Sequence, residues 1–555
     1  MTRAMHMGCG GMLWVLLCWA GSVAAQDTTS VPSTDSTKII HLINADELMG
    51  IQPGGKDSAQ LQKLTGHVRL IQGQTVFSCD SALQDLTHNT IDAYGHIHIN
   101  QADTINTFSD YLHYEGDTKI ATLRRNVRMT DGTMVLTTDV LVYDMNTHIG
   151  SYLDGGKLVN QSTVLTSERG YYYADTKDVY FKSQVQLHDP EYTLATDTLL
   201  YNTNSRIANF VAPTTINTGN SIIHTRCGYY NTIENYAHLC DRSTIIDSAQ
   251  WITADSMNYS KTTGIGEAYG NVNWTDTARK MTILAGYAIS HQQENTILAT
   301  RQPLLIIARQ KDTLYLASDT LYSAPLPPAV RPADSTAHTP PDLTASDSSV
   351  LPRPIDSLAS TSTDDTATRR YVIAYHQVRL FSDSLQGASD SLFYSDRDSA
   401  FHFYTSPVLW TGSTQLTGDT IVLFTHDQQA DRILLDQHAM IINQIAPTTY
   451  NQIKGTQITG YFKTGNELEW MSVRGNAESM YYAQDDAGAL VGGNHATSAN
   501  IHLYFREGKL DKVVFLKDVD GDFMQPTKIP EENQQLRGFR WEDDRRPKSE
   551  AELMQ

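Results

Sequence analysis

Apolar and polar residues alternate strictly in many short stretches of this chain. Two of them are residues 66–70 (Gly-His-Val-Arg-Leu) and 95–99 (Gly-His-Ile-His-Ile), and similar stretches recur as far as residue 380. An alternation of period two predicts a half-buried β-strand, with apolar side chains turned inward and polar ones toward solvent. Turn sequences such as residues 130–132 (Thr-Asp-Gly) separate the stretches. The pattern predicts an all-β fold with no helix of any length before the C-terminal tail.

The inward side of these predicted strands is a set of apolar side chains. Its members are Val68, Leu70, Ile97, Ile99, Val127, Met129, Val185, Leu187, Val272 and Trp274. The alternation identifies the inward side but not what fills the interior. Two alternatives therefore stay open: these residues fill a closed core, or they line a groove that accepts an apolar ligand.

A second phrase, Asp-x-Leu-x-Tyr, repeats along the chain at regular intervals. Asp110 and Asp139 lie 29 residues apart, and the next copies, at Asp197 and Asp255, follow at intervals of 58, which is twice 29. Halfway through a longer interval the chain reads Gly-Tyr-Tyr, at residues 170–172. We interpret this glycine as a replacement of Asp at a turn, where both residue types are favoured. The repeating unit is therefore about 30 residues long.

A unit of this size cannot bury its own apolar face, so successive units must stack on one another. Stacked β units form an elongated β-jellyroll or solenoid, which is an open, twisted double sheet. We divide the chain into a signal peptide, a first repeat block, a Pro/Ser/Asp/Thr-rich linker or insertion, a second repeat block and a charged tail. The boundaries of these segments are 1–25, 26–323, 324–370, 371–524 and 525–555. The composition of the linker cannot offset the entropy cost of folding.

The N-terminus has the order of a secretory signal peptide. A single basic residue, Arg3, precedes an apolar stretch at residues 12–20, and Val-Ala-Ala follows at 23–25. This order predicts cleavage after Ala25 and a soluble protein of the periplasm. The apolar stretch is shorter than the ~20 residues of a transmembrane helix. A lipoprotein signal would need a small residue before Cys18, where this chain has Leu.

Composition and charge narrow the class of function. The chain has 42 Lys and Arg against 62 Asp and Glu, with a formal net charge of −20, so nucleic acid is not expected as a partner. No zinc-peptidase, nucleophile-elbow or phosphate-loop motif occurs in it. We therefore expect no catalytic residues, no metal and no cofactor, and a protein that is not an enzyme. Cys227 and Cys240 either form a disulfide or lie as separate thiols in half-buried strands.

The succession of Asp-x-Leu-x-Tyr phrases and alternating strands, with a period near 30 and a signal peptide, resembles the OstA/LptA family of periplasmic lipopolysaccharide-transport proteins. The resemblance covers residues 40–323 and, more loosely, 371–524. It implies a twisted β-jellyroll whose apolar interior, lined by the inward set above, carries lipopolysaccharide acyl chains from the inner to the outer membrane of a Gram-negative cell. The implied partners are lipopolysaccharide or lipid A, and inner- and outer-membrane transport components joined by edge-strand pairing, with head-to-tail self-association as a further form.

Other functions fit parts of the same pattern. A secreted β-solenoid that serves as an adhesin, a scaffold or a glycan-binding protein would share the repeats and the signal peptide, but it would display ladders of exposed aromatic or acidic residues. A solenoid enzyme that degrades polysaccharides would need acidic and basic residues clustered on one face, and no such cluster is evident. We favour the carrier on the strength of the resemblance.

Overall fold

The computed structural model describes residues 39–51, 60–309, 312–327, 369–426, 429–463, 467–485, 487–506 and 509–554. The predicted signal peptide lies outside the described residues, as do residues 328–368 of the predicted linker. Within the described part, no helix is long and apolar enough to cross a membrane.

The strands of the N-terminal half follow one another with short turns between them. They are β1 (His41–Asn44), β2 (Glu47–Ile51), β3 (Leu61–Gln72), β4 (Thr75–Asp85), β5 (Thr90–Gln101), β6 (Ile105–Glu115), β7 (Ile120–Thr130), β8 (Val135–Asp144), β9 (Ile149–Tyr152), β10 (Gly156–Asn160), β11 (Thr163–Ser167), β12 (Arg169–Tyr173), β13 (Asp178–His188), β14 (Thr193–Asn202), β15 (Ile207–Phe210), β16 (Thr214–Asn217), β17 (Ser221–Thr225), β18 (Cys227–Asn231), β19 (Tyr236–Cys240), β20 (Ser243–Asp247), β21 (Gln250–Ala254), β22 (Ser256–Ser260), β23 (Ile265–Asp276) and β24 (Met281–His291).

The C-terminal half continues the same succession and ends in short helices. Its strands are β25 (Thr296–Thr300), β26 (Leu304–Ala308), β27 (Thr313–Ala317), β28 (Thr320–Pro325), β29 (Arg370–Phe381), β30 (Gln386–Ser395), β31 (Ala400–Tyr404), β32 (Val408–Thr411), β33 (Thr414–Thr417), β34 (Thr420–His426), β35 (Gln429–Ala446), β36 (Thr449–Lys463), β37 (Glu467–Gln484), β38 (Leu490–Arg506), β39 (Lys509–Leu516) and β40 (Asp520–Met524). The helices are the 3₁₀ turns Pro526–Lys528 and Asp543–Arg545, α1 (Glu531–Gln534) and α2 (Glu550–Leu553). The predicted all-β fold is confirmed.

The strands form two facing walls that meet along a corner. Each long strand bends at its middle: in β3, residues 61–65 pair with β2, whereas residues 69–71 pair with β1. We call the wall that contains residues 61–65 the first wall, and the wall that contains the second half of β3 the second wall. Hairpin turns form the outer rim of each wall, for example residues 86–89 on the first rim and 102–104 on the second. All pairings between neighbouring strands are antiparallel.

The Asp of the repeated phrase lies at this corner and stabilises the bend. The residue that faces it on the next bent strand has a positive φ, as at His67 (45°) and His96 (44°). The carboxylates of Asp46 and Asp80 bond these imidazoles at 2.8 and 2.7 Å. The same contact from an acidic residue to the next bent strand recurs along the molecule; further pairs are Asp110–Asn126, Glu168–Gln184, Asp255–Asn271 and Asp419–His438. Asp390 makes a related contact to His376 of the strand before it.

The interpretation of Gly170 as a replacement of Asp is wrong. Gly170 lies inside β12, and a Cβ added to it would fall 2.3 Å from the ring of Tyr152, so close packing is what requires glycine there. The acidic corner residue of this unit is Glu168, which keeps the spacing of 29 from Asp139. The substitution of Glu for Asp hid this copy of the phrase.

The strands on either side of the Pro-rich segment pair directly with each other. Pro325 of β28 faces Arg370 of β29, and the register continues without a shift to Thr320 and Tyr375. The segment between them therefore takes the place of one hairpin turn on the first rim. The two repeat blocks belong to one continuous pair of walls.

A C-terminal strap, residues 525–554, runs back across the outer face of the second wall. Two fully buried glutamines bind its backbone on both sides: Gln452 bonds the carbonyl of Gln534 and the amide of Leu536, each at 2.8 Å. Gln415 makes the same pair of bonds further along the strap. Leu553 ends the strap in a small apolar cluster on β26 and β27.

Cys227 and Cys240 form a disulfide between the neighbouring strands β18 and β19. Their Cα atoms are 5.2 Å apart, and the sequence separation is 13 residues. The first of the two sequence-based alternatives is therefore the one that the structure contains. Cys79 is a buried free thiol, and burial raises its pKa to about 11.

Candidate functional site

A row of tyrosines follows the inner face of the first wall near its rim. The row alternates tyrosines with smaller residues on successive strands, so each ring has space beside it. Its first six tyrosines are 29 residues apart in sequence; they are Tyr114, Tyr143, Tyr172, Tyr201, Tyr230 and Tyr259. The Tyr of the repeated phrase thus lies at the rim, while its Leu, such as Leu112 and Leu141, is buried in the core.

Four tyrosines of this row reach across to polar groups of the second wall, and we call these contacts rungs. Tyr143 donates to Oε1 of Gln101 at 2.6 Å, and Tyr172 donates to Oδ2 of Asp131 at 2.7 Å. Tyr114 bonds Gln72, and Asn160 bonds the hydroxyl of Tyr201 and the carbonyl of Thr203. The rungs bridge the walls over β3–β14, which we call the rung section, and close the interior there.

Charge strengthens the central rung. The Lys177 ammonium of the first rim lies 3.1 Å from the same carboxylate oxygen of Asp131, whose side chain is only 1% exposed. Burial alone would raise the pKa of Asp131, but hydrogen bonds from Tyr172, Thr133 and Lys177 outweigh burial and hold it well below its ordinary value. Burial also raises the pKa of Tyr201 to about 12, so its hydroxyl stays protonated at neutral pH.

The tyrosine row is interrupted further along the first wall. The positions that continue it are Ser290 and Ser323, and a ring returns only at Tyr394. Their neighbours in the inner face are small as well; they include Ala237, Gly266, Ala268, Ala288 and Ala299. At Ser290 and Ser323, therefore, no ring projects from the first wall toward the second.

Opposite these small residues, the second wall presents large apolar side chains that water can reach. Those that are only partly buried are Ile223, Ile245, Ile252, Trp274, Met281 and Ile307, and Ile297 joins them from the first wall. Inward residues of the rung section, such as Ile97 and Leu123, are by contrast 1% and 0% exposed. We call this part, from β17 to β29, the open section. We refer to its partly exposed apolar lining as the apolar groove.

Most of the residues predicted from the sequence to bind lipid lie in the rung section. Those with 0–3% exposure are Val68, Leu70, Ile97, Ile99, Val127, Met129, Val185, Leu187 and Val272. Trp274 is partly buried and lies in the open section, where Val272 is its neighbour on β23. The inward orientation of all ten agrees with the alternation, and lipid binding by them stays a prediction.

Sequence reasoning missed most of the residues that line the open section. Ile245 and Ile246 are adjacent in the chain, and only the first faces inward, so β20 does not alternate apolar with polar residues. The signal that was available is the loss of tyrosine at Ser290 and Ser323 within an otherwise regular column. It is readable only once the rungs give that column a physical role.

Comparison with known proteins gives the following relationships. Residues 37–197 match the family of OstA-like proteins, so the resemblance found in the sequence is confirmed over that stretch. Among solved structures, the chain is similar to LptH of Pseudomonas aeruginosa, described as the LptA homologous periplasmic component of the conserved lipopolysaccharide transport device. The two are 18% identical over 19% of this chain and 80% of LptH, with a TM-score of 0.18. No curated protein matches the chain.

Proposed function

We propose that this protein carries lipopolysaccharide through the periplasm of a Gram-negative cell, holding the acyl chains in the apolar groove of its open section. The observation that supports the proposal is the lining of this section: large, partly exposed apolar side chains on one wall face small side chains on the other. An exposed CH₂ costs about 0.8 kcal/mol in water, so a lipid with several chains needs such a groove to cross an aqueous space. The role is transport and involves no catalysis.

The ends of the walls support a bridge between membranes. Among the described strands, β1 and β2 pair only with β3, and β39 and β40 pair only with β38. The N-terminal edge exposes Ile43, Leu48 and Met49, each about half exposed. Unpaired edges of this kind accept a further strand. We infer that membrane-bound transport components, or a second copy of this chain, pair with these edges.

Photo-crosslinking in living cells tests the groove. A crosslinking residue at Ile252 or Trp274 points inward in the open section, whereas one at Asn273 points outward from the same strand. We expect lipopolysaccharide adducts at the two inward positions and none at Asn273. A site at Val127, which is buried in the rung section, reports whether the rungs open in the cell.

Equal labelling at Trp274 and Asn273, or none at Trp274 in folded protein, would contradict the carrier proposal. In that case the adhesin or scaffold function would become the better explanation of the repeats.

A further inference from the structure

A polar cleft lies at the rims, where the rungs end and the open section begins. Its volume is about 320 Å³, and both rims contribute to it. The side chains that matter most are Asn160, Asp189, Glu191 and Tyr192 from the second rim, with Arg206 and Tyr230 from the first. Small-molecule sites span about 300–1,000 Å³, so the cleft is large enough for a small ligand.

The cleft occupies the place of a missing rung. Tyr230 continues the tyrosine row, and Asp189 is the residue 41 positions earlier, the same separation as between Tyr172 and Asp131. Tyr230 nevertheless donates to Asn235 of its own rim at 3.1 Å. Asp189 instead accepts from the hydroxyl of Thr163 at 2.8 Å and from a backbone amide. The polar groups that would close this rung are therefore turned to other partners.

Two groups in the cleft have unused hydrogen-bonding capacity. The residue Tyr192 is only 8% exposed, and its buried hydroxyl has no hydrogen-bond partner in the described part of the chain. A buried polar group without a partner is costly, and such groups are uncommon. The guanidinium of Arg206 forms no ion pair with any residue that the structure describes. Both groups are placed to bind a polar ligand.

The charges in the cleft nearly cancel. Glu191 is paired with Lys261 of the opposite rim at 2.7 Å, which leaves the carboxylate of Asp189 and the guanidinium of Arg206. A phosphate in the cleft would be repelled by the carboxylates of Asp189 and Glu191. Across the described residues, no group of three or more His, Cys, Asp or Glu is placed to hold a metal ion. The electrostatics favour a neutral ligand.

The residue types match the chemistry of sugars. Tyr192 and Tyr230 form an edge-to-face pair with ring centroids 5.2 Å apart, so the cleft offers apolar ring surface together with hydroxyl groups. A sugar presents C–H faces and many hydroxyls, and the latter bond well to carboxylate, amide and guanidinium groups held in fixed positions. Tyr230 also packs against the core next to the open section, so polar cleft and apolar groove adjoin.

We propose that this cleft binds a saccharide, namely the sugar of the glycolipid whose acyl chains occupy the groove. The identification of that glycolipid rests on the proposed function, while the saccharide chemistry rests on the cleft alone. A free saccharide is the alternative source of the same chemistry, and it would bind without any lipid in the groove.

Titration of the full-length mature protein with soluble saccharides tests the cleft. The probes are N-acetylglucosamine, glucose and the β-1,6-linked N-acetylglucosamine disaccharide, which are neutral, and inorganic phosphate is the anionic probe; binding is followed by calorimetry and saturation-transfer NMR. We expect disaccharide binding that weakens about tenfold in Asp189→Asn and in Tyr192→Phe, because each variant removes a polar contact. The matched control is Tyr180→Phe, which alters an edge-to-face tyrosine pair on the outer face of the first wall and should leave affinity unchanged.

Absence of saccharide binding, or equal affinity in all variants, overturns the proposal, and so does binding of phosphate alone. Crosslinking at Trp274 separates this result from the proposed function. Lipid adducts at Trp274 without saccharide binding contradict the saccharide site and leave the proposed carrier function standing. Saccharide binding without lipid adducts supports a site for free saccharide in the cleft and contradicts the proposed carrier function.

Discussion

The rung between Tyr172 and Asp131 gives a quantitative test of how the walls are held together. The substitution Tyr172→Phe removes one hydroxyl and leaves the ring in place. The lost hydrogen bond is 2.7 Å long and ends on a carboxylate whose side chain is 1% exposed. Hydrogen bonds to charged groups contribute roughly 1.5–3 kcal/mol. Because Lys177 still contacts the same oxygen, we expect a loss of about 2 kcal/mol.

Native-state hydrogen exchange is the suitable assay, because stacked repeats open locally and a local loss is diluted in global unfolding. The amides of Thr133 and Met134 donate to Asp131 and report on the rung directly. A loss of about 2 kcal/mol corresponds to roughly 30-fold faster exchange there. The matched control is Tyr171→Phe, the outward neighbour on the same strand, for which we expect little change.

Acid provides a second reading of the same rung. Hydrogen bonds outweigh burial and hold the pKa of Asp131 below its ordinary value of 3.8, so the carboxylate contributes its full stability above pH 3.8 and loses it as the pH falls further. The difference in hydrogen-exchange rate between wild type and Tyr172→Phe should therefore become smaller as the pH falls below 3.8. Exchange at Thr133 that is unchanged by Tyr172→Phe, or changed equally by Tyr171→Phe, would refute the view that rungs close the interior.

Other features of the molecule lead to further predictions. Ser323→Tyr restores a ring to the interrupted row and should strongly reduce lipid adducts in the open section. Undiminished adducts would show that lipid binding does not depend on the absence of a ring at this position. Deletion of residues 330–365 should leave a single cooperative unfolding transition, since the strands on either side form one hairpin, and separate transitions would contradict this. Gln452→Ala removes two backbone contacts of the strap, costs about 2 kcal/mol and should speed proteolysis of the strap; resistance equal to wild type would argue against it. The hydrogen bond that His96 donates to the Asp80 carboxylate raises the pKa of His96 above 6.5. The pair therefore stabilises the corner fully below pH 6.5 and loses this contribution as the pH rises through the raised pKa; an NMR titration of His96 that is identical in Asp80→Asn would contradict the pairing.

The sequence was sufficient for the strands, and less so for the contacts between the walls. Period-two alternation identifies the inward side of a strand such as β5, because one face of each strand must be buried. The partner of Tyr143 is Gln101, which lies 42 residues earlier on the opposite wall. No local pattern encodes that distance, because it depends on how the walls are staggered. The spacing of 29 residues between tyrosines is visible in the sequence, but the role of these tyrosines becomes clear only from their contacts with the second wall.

The candidate site was harder to predict for a related reason. The repeat indicates the role of the positions that recur in every unit. The open section is instead the part in which the tyrosine row is interrupted, at Ser290 and Ser323. Inward residues of the rung section and of the open section have the same apolar character. What differs is the size of the side chain facing them from the first wall, and this is a property of pairs of distant residues.

The departures from the repeat are concentrated in one part of the molecule, and this concentration is itself informative. Between Tyr230 and Tyr394 the chain loses a rung, replaces two ring positions by serine, and exchanges a short rim turn for the long segment after β28. Each change removes a contact between the walls, a ring of the row or a short turn, and large apolar side chains such as Ile252 and Trp274 are only partly buried in the same part. Proteins keep such local violations chiefly where function requires them. The open section, rather than the regular rung section, is therefore where binding should be sought first.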